Sequence, residues 1–438
     1  MACDLQTTLT AACSSGIAKL NSPIELLQVI AQTLCSAEGG APSYDGNLTY
    51  IQQGGNIVVE VNPVGARNLT AITPKVTEIH CHNCPGLTSL TCSNDALLTV
   101  LDIVGCVALE TLVFNNCTSL PSVTLDSSFV TMTNINFESC SSLASFTANS
   151  VTTVSGSVNL RSQTGGTHFN ITTFSMTALV STGGNFFFYP GSGEAAQPSP
   201  ASLSFPNLVS VGGYLIAANL TSLTSFSAPV LASTAQDFNV SNCALLSTVS
   251  AASLSSVGGS LYANANPGLL SIGFPALASA GNIQIYDCVN ITSINLSALL
   301  VVGSMLFTGC SDLVTVDLTL LEECASIDAS GNNSLTSFSL LALVNGYVPY
   351  EIYLYDCSSL NSFLIDIGLE AQESGLYYFY DSSLDQSSVD SVFQFGQNGG
   401  TSSAEYLCDG GTNSTPSGAG IANATTLSGN GNTVTYNP

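Results

Sequence analysis

Positive charge is nearly absent from this chain. Four Lys plus Arg stand against 29 Asp plus Glu in 438 residues, a formal net charge of -25. A nucleic-acid surface neutralises phosphates with cations, and Lys19, Lys75, Arg67 and Arg161 are too few and too scattered to form a basic stripe. The same shortage removes phosphate clamps and adsorption to anionic lipid. Long apolar runs are missing too, since none approaches the roughly 18 residues of a membrane span. The opening segment, MACDLQTTLTAACSSGIAKL, has no positive region followed by an apolar one, so an ordinary leader peptide is not expected. Yet 45% of the residues are hydrophobic, too many for an acidic disordered chain. The chain should fold around a large core, with Ser, Thr, Asn and Gly covering a surface that charge cannot cover.

What the chain does contain is a repeat. The segments FNVSNCALLSTV, LYANANPGLLSI, IQIYDCVNITSI, MLFTGCSDLVTV, IDASGNNSLTSF and IYLYDCSSLNSF share one pattern. Each reads apolar-x-apolar-x-x-(Asn/Cys)-x-x-apolar-x-x-apolar. The Asn/Cys position falls at Cys243, Asn266, Cys288, Cys310, Asn332 and Cys357, at intervals of 22 to 25 residues. The register extends back through Asn219 (strand Tyr214, Ile216), Gly191, Gln163, Cys140, Cys117 and Asp95, and forward to Ser382. A second set of corners lies half a period away, at Cys84, Cys106 and Ser128 and then at Leu231, Leu254, Leu277, Leu299, Leu321, Leu343 and Leu369. The pattern predicts a mainly β repeat solenoid, right-handed, of about 13 coils, on the order of 60 Å long at the usual strand spacing.

Alternation within each short strand turns its two apolar residues inward. The Asn or Cys at the turn also points into the core, where its side chain can cap backbone groups of the coil stacked on it. Asn does so with an amide, and Cys acts as a small buried hydrophobe with a weak donor. Most of the 15 cysteines are thereby read as reduced structural thiols, with disulfides and metal ligation as the alternatives.

On these motifs the chain resembles the leucine-rich-repeat superfamily over about residues 76 to 383. LTSLTCSNDALLTVLDIVGC (87 to 106) is similar to the internalin-J-like subtype, and FTGCSDLVTV resembles the BspA-like one. FPNLVSVGGYLIAANLTSLTSF and FPALASAGNIQIYDCVNITSI resemble receptor L-domain repeats. The resemblance implies a shared architecture with adhesion or ligand recognition and no catalysis. The chain ends also resemble those of repeat proteins in phages and environmental bacteria.

Outside the repeats, residues 1–38 read as helical, with a capping box at Ser22-Pro23-x-Glu25 and an apolar face of Ile24, Leu27, Ile30, Ala31 and Leu34. Too short for its own core, this segment is expected to attach the solenoid or to oligomerise it. Residues 39–75 are expected to form an N-terminal β cap around one alternating strand, Ile57, Val59 and Val61. The solenoid then spans 76–383, and 384–438 form an α/β cap. Within that cap a helix is expected over 384–395 on Val389, Val392 and Phe393, a strand over 404–408, a short helix from Thr415-Pro416 and a last strand over 433–436. Caps are needed because an open solenoid end is an exposed core and a free sheet edge.

For chemistry, His80-Cys81-His82-x-Cys84 is the best metal candidate. Alternation argues against it, because Cys81 and Cys84 face in while His80 and His82 face out. No metal or cofactor is expected. His168 has no G-x-S-x-G context for a triad. A carboxylate hydrolase needs two converging acids, and outward Glu138 and Asp328 lie many coils apart, while Asp287 and Asp356, one residue before the turn, lie three coils apart. The same outward positions carry a stripe of nearly uncharged residues: Asn239, Tyr262, Asn264, Gln284, Tyr286, Asp328, Tyr353, Tyr355, Tyr378 and Tyr380. Such a stripe suits recognition of a glycan or a protein ligand; strand propensity and packing against a neighbouring subunit are the other readings. The expected protein is a non-enzymatic surface or virion component, extracellular, with a coat or filament subunit and a polysaccharide-degrading tailspike as alternatives.

Overall fold

The computed structural model describes residues 76–162, 170–190, 198–344 and 347–438, together with the backbone of strands Leu48–Gln53, Asn56–Val61 and Asn68–Ile72. The helical reading of 1–38 and the turns at Gln163 and Gly191 lie outside the described residues. The chain is a mainly parallel β-solenoid of about 12 turns, close to the expected 13. Its contacts divide it into two compact units, residues 1–179 with 190–198 and residues 180–189 with 199–438.

In unit one, the turns place short strands on two parallel sheets, with further two-residue strands at Thr131–Met132 and Thr153–Val154. The first sheet stacks Ser89–Ser93, Thr111–Asn115, Asn134–Asn136 and Val158–Arg161. Leu90, Leu112, Ile135 and Val158 align in register across it. The second stacks Glu78–His82 on Val100–Val104. Where one alternating strand is expected near residue 57, three strands occur. Leu48–Gln53 and Asn56–Val61 form an antiparallel hairpin that extends the second sheet through a pairing with Glu78–His82. Asn68–Ile72 extends the first sheet.

Unit two repeats the plan. Its first sheet includes Phe238–Asn239, Ser256–Tyr262, Ser279–Gln284, Val301–Leu306, Glu323–Asp328, Glu351–Tyr353 and Leu376–Tyr378, and it ends on Glu405–Cys408 and Thr433–Tyr436. The second side of the turns carries short parallel strands from Ser202–Ser204 to Ser362–Ile365, paired in three successive small sheets of three, three and two strands. Two helices follow in the last turns, α1 (Gln386–Asn398) and α2 (Gly418–Gly429). Helix α1 starts where Asp385 accepts from the Ser388 amide at 2.8 Å, a cap that satisfies an orphan first-turn donor. It buries Val389, Val392 and Phe393, the face read from the sequence.

The core follows from alternation. Leu90 and Cys92 are fully buried between half-exposed Ser89, Thr91 and Ser93. Phenylalanines stack from turn to turn, Phe114 on Phe137 at 5.3 Å in unit one and Phe205 on Phe226 at 5.9 Å in unit two. All 12 described cysteines are buried thiols. The ladder position bonds to the preceding coil: the thiols of Cys117, Cys288, Cys310 and Cys357 donate to the carbonyls of Cys92, Ala263, Ile285 and Ala329 at 3.2–3.5 Å.

One residue before each rung the backbone is left-handed. Asn116, Asn242, Ala265, Asp287, Gly309, Gly331, Asp356 and Asp381 all have φ between 53° and 72° there. Short polar residues and Gly tolerate this region best, and this accounts for a register error at Asn219. With φ 60°, Asn219 occupies the left-handed site, and Leu220 is the rung. Leu215 and Ala217 therefore face inward, leaving Tyr214 exposed. The corner expected at Ser128 is instead made by Asp126, which accepts from the amides of Gly105 at 3.0 Å and Ser128 at 2.9 Å.

Candidate functional site: the outer tyrosine columns

Strand alternation leaves every second residue of unit two's first sheet facing outward, and parallel register aligns these residues from turn to turn. One column runs Asn239, Tyr262, Gln284, Leu306, Asp328, Tyr353, Tyr378 and Leu407. Two residues further along each turn, the next column holds Asn264, Tyr286, Thr308, Tyr355 and Tyr380, linked by backbone bonds such as Asp287 N to Thr308 O and Asp356 N to Tyr380 O. All ten residues of the stripe read from the sequence therefore lie on one face. Asn264 contributes little surface, being 8% exposed.

Four of the ten form a contiguous block. Tyr355 stacks on Tyr380 with ring centroids 4.8 Å apart and planes 10° apart. Tyr353 meets Tyr378 at 5.1 Å, and the two pairs close against each other at 6.3 Å (Tyr353 to Tyr355) and 6.1 Å (Tyr378 to Tyr380). Since Tyr355 and Tyr380 take up each other's inner faces, the block offers ring edges, hydroxyls and two outer faces. Tyr262, Gln284 and Tyr286 form a separate group, divided from the block by two turns, which carry Leu306 and then Asp328 in the first column.

The block is less neutral than the stripe read from the sequence. A third outward column, Ser326, Glu351, Leu376 and Glu405, brings two carboxylates beside it. The Tyr378 hydroxyl donates to Glu405 Oε2. That bond, and then burial, push the Tyr378 phenol well up. Burial and neighbouring Glu351 raise Tyr353 to about 12. Asp328 accepts from the Ser330 amide at 3.0 Å and hydroxyl at 2.6 Å. Glu405 was missed because its strand lies beyond the last turn counted in the repeat; the apolar alternation of Tyr406 and Cys408 was the available signal.

The other candidates separate. Cys81 and Cys84 are fully buried, while His80 is half-buried and His82 exposed. Glu138 is ion-paired with Arg161 at 2.9 Å. His168 lies outside the described residues.

The family profile described as a BspA type leucine rich repeat region matches in six copies, over residues 81–189, 199–314, 234–347 and 281–399. The chain belongs to the BspA-type leucine-rich-repeat family. Among solved structures, the repeat chain is similar to a leucine-rich repeat protein from Bacteroides ovatus, at 15% identity over 83% of this chain and 94% of that one, with a TM-score of 0.30. It is also similar to a leucine rich cell surface protein from Faecalibacterium prausnitzii, at 13% identity over 75% and 96%, TM-score 0.18. A third is the functional domain of InlJ from Listeria monocytogenes, which includes a cysteine ladder, at 14% identity over 76% and 69%, TM-score 0.25. No curated protein matches the chain. No helix among the described residues is long and apolar enough to cross a membrane.

Proposed function

We propose that this leucine-rich-repeat protein is a non-enzymatic recognition module, displayed at a cell or virion surface, that binds its ligand on the outer columns of unit two. The observation carrying this reading is the four-tyrosine block of Tyr353, Tyr355, Tyr378 and Tyr380, held ring against ring. Tyrosines already held by one another lose little side-chain entropy when a partner docks, and they supply wide contact area with hydroxyls at its edge. The site also includes Tyr262, Gln284 and Tyr286, with Asp328 between the two groups. Of the ligands weighed, a protein surface carrying basic side chains is favoured over a neutral glycan. Glu351, Glu405 and Asp328 sit around the tyrosines, the ring faces open to a sugar are few, and a net charge of -25 steers basic partners toward the chain.

The test screens the purified chain against immobilised cell-surface proteins and a glycan array. Replacing Tyr355 and Tyr380 together by Ala should weaken capture of the ligand by about 30-fold or more, as for truncated hot-spot aromatics. Glu405→Gln should slow association and flatten its salt dependence. Unchanged capture by the tyrosine double variant would sink the proposal. Glycan capture insensitive to salt would move the ligand to the sugar class, and a tyrosine-dependent oligomer in light scattering would favour packing between subunits.

A further inference from the structure

On unit one's second sheet, parallel register sets His80 directly opposite Asp102, with Glu78 and His82 outward on the same strand as His80. The four side chains meet at the surface. His82 Nε2 lies 2.7 Å from Asp102 Oδ2, and His80 Nδ1 lies 3.4 Å from the same oxygen. One ligand atom from each of His80, His82 and Asp102 falls within 4.8 Å of the others. The remaining ring nitrogen of His80, Nε2, is 3.1 Å from Glu78 Oε2. His80, His82 and Asp102 remain reachable, at 20%, 48% and 41% side-chain exposure.

We infer that His80, His82 and Asp102 form a zinc site, with Glu78 as the carboxylate that orients His80. Zinc at about 2.0–2.1 Å from each of its ligands holds their atoms about 3.3 Å apart in a tetrahedron, so small side-chain rotations bring these three atoms into place around an ion. Two imidazoles and a carboxylate are borderline donors suited to zinc, and three protein ligands leave the fourth position to water. A second carboxylate on the far nitrogen of a ligating histidine fixes its tautomer and raises its basicity; Glu78 occupies that place. The buried thiols of Cys81 and Cys84 face the other way and take no part. The pair His80 and His82 was visible in the sequence, whereas Asp102, 22 residues past His80, enters only through the stacking of turns.

The experiment is zinc titration of the full chain, stripped with chelator and kept reduced, by calorimetry, with cobalt absorption to read coordination. One zinc per chain is expected, with a tetrahedral cobalt spectrum free of thiolate bands and with affinity falling on acidification, as protons compete with the ion for its ligands. His82→Ala and Asp102→Asn should abolish this binding, and Glu78→Gln should weaken it by about 10- to 100-fold. All three changes are at the surface, and melting curves confirm that each variant folds. Absence of zinc uptake, or equal uptake by His82→Ala, would overturn the inference; thiolate bands in the cobalt spectrum would place the metal on cysteines and overturn it equally.

Discussion

At the scale of single residues, the ladder position decides how much backbone each turn can satisfy. Asn266 makes three bonds: its amide nitrogen donates to Val240 O at 3.1 Å and Ala263 O at 2.8 Å, and its oxygen accepts from Cys243 N at 2.8 Å. Asn332 repeats the set on Phe307, Ala329 and Cys310. The thiol of Cys288 donates to Ala263 O at 3.2 Å and at longer range to Tyr286 O, and the bond that the Asn266 amide makes to its sulfur is weaker than one to an amide oxygen. Leaving buried amide and carbonyl groups unpaired costs about 1–3 kcal/mol each before relaxation. Asn266→Ala should therefore cost about 2–4 kcal/mol, and Cys288→Ala only about 1 kcal/mol. Urea denaturation midpoints measure both, and equal shifts would show that the amide bonds carry no special weight. The rungs were legible because Asn and Cys recur at a fixed spacing between apolar residues. Asn219 misled because one residue type suits two adjacent sites, the rung and the left-handed turn before it. Asp102 and Glu405 were not legible as partners of His80 and Tyr378, since residues 22 and 27 apart in sequence become neighbours only once the coils are stacked in register.

At the scale of elements, stacking brings backbone against backbone within strands of unit two's first sheet, as at Gly303 in Val301–Leu306. A Cβ added at Gly303 would lie 2.3 Å from the carbonyl oxygen of Gly281, closer than real Cβ atoms come to anything. The restriction is one of space and arises from the turn below. Gly418, the first residue of α2, is the opposite case, with nothing within 4 Å of an added Cβ. Gly303→Ala should cost about 1–3 kcal/mol by forcing two turns apart. Gly418→Ala should instead stabilise by about 0.5–1 kcal/mol, because Ala restricts the unfolded chain more than Gly does and suits a helix better. Thermal melts of the two variants check the pair, and shifts of the same sign would contradict the close approach at Gly303. The two C-terminal helices were read within a few residues, α1 from its apolar face and α2 from its Thr415-Pro416 start. The hairpin at residues 48–61 was not, because its first strand, LTYIQQ, alternates too weakly to stand out.

For the whole molecule, a core holding many thiols sets a limit on the alkaline side. Burial pushes Cys243 and Cys324 up to about 12 and Cys357 up to about 11, and it raises Cys408 further. In the unfolded chain a thiol ionises near pH 8.5. A group whose folded value lies above its unfolded one stabilises the fold fully below the unfolded value, and that contribution is lost as pH rises toward the folded value. Between about pH 9 and 11, each such thiol removes about 1.4 kcal/mol per pH unit, and Cys243, Cys324 and Cys357 together remove about 4 kcal/mol per unit. The carboxylates are already ionised in this range and add no slope, whereas the raised phenols of Tyr353, Tyr377, Tyr378 and Tyr406 add one of the same sign above about pH 10, which a variant lacking the thiols keeps. Under reducing conditions the melting temperature should stay level up to about pH 8.5 and then fall steeply toward pH 11. A variant with Ala at Cys243, Cys324 and Cys357 should start lower and fall less steeply over the same interval. A flat profile from pH 8 to pH 11 in the parent chain, or an identical slope in the triple variant, would show that the buried thiols do not govern alkaline stability.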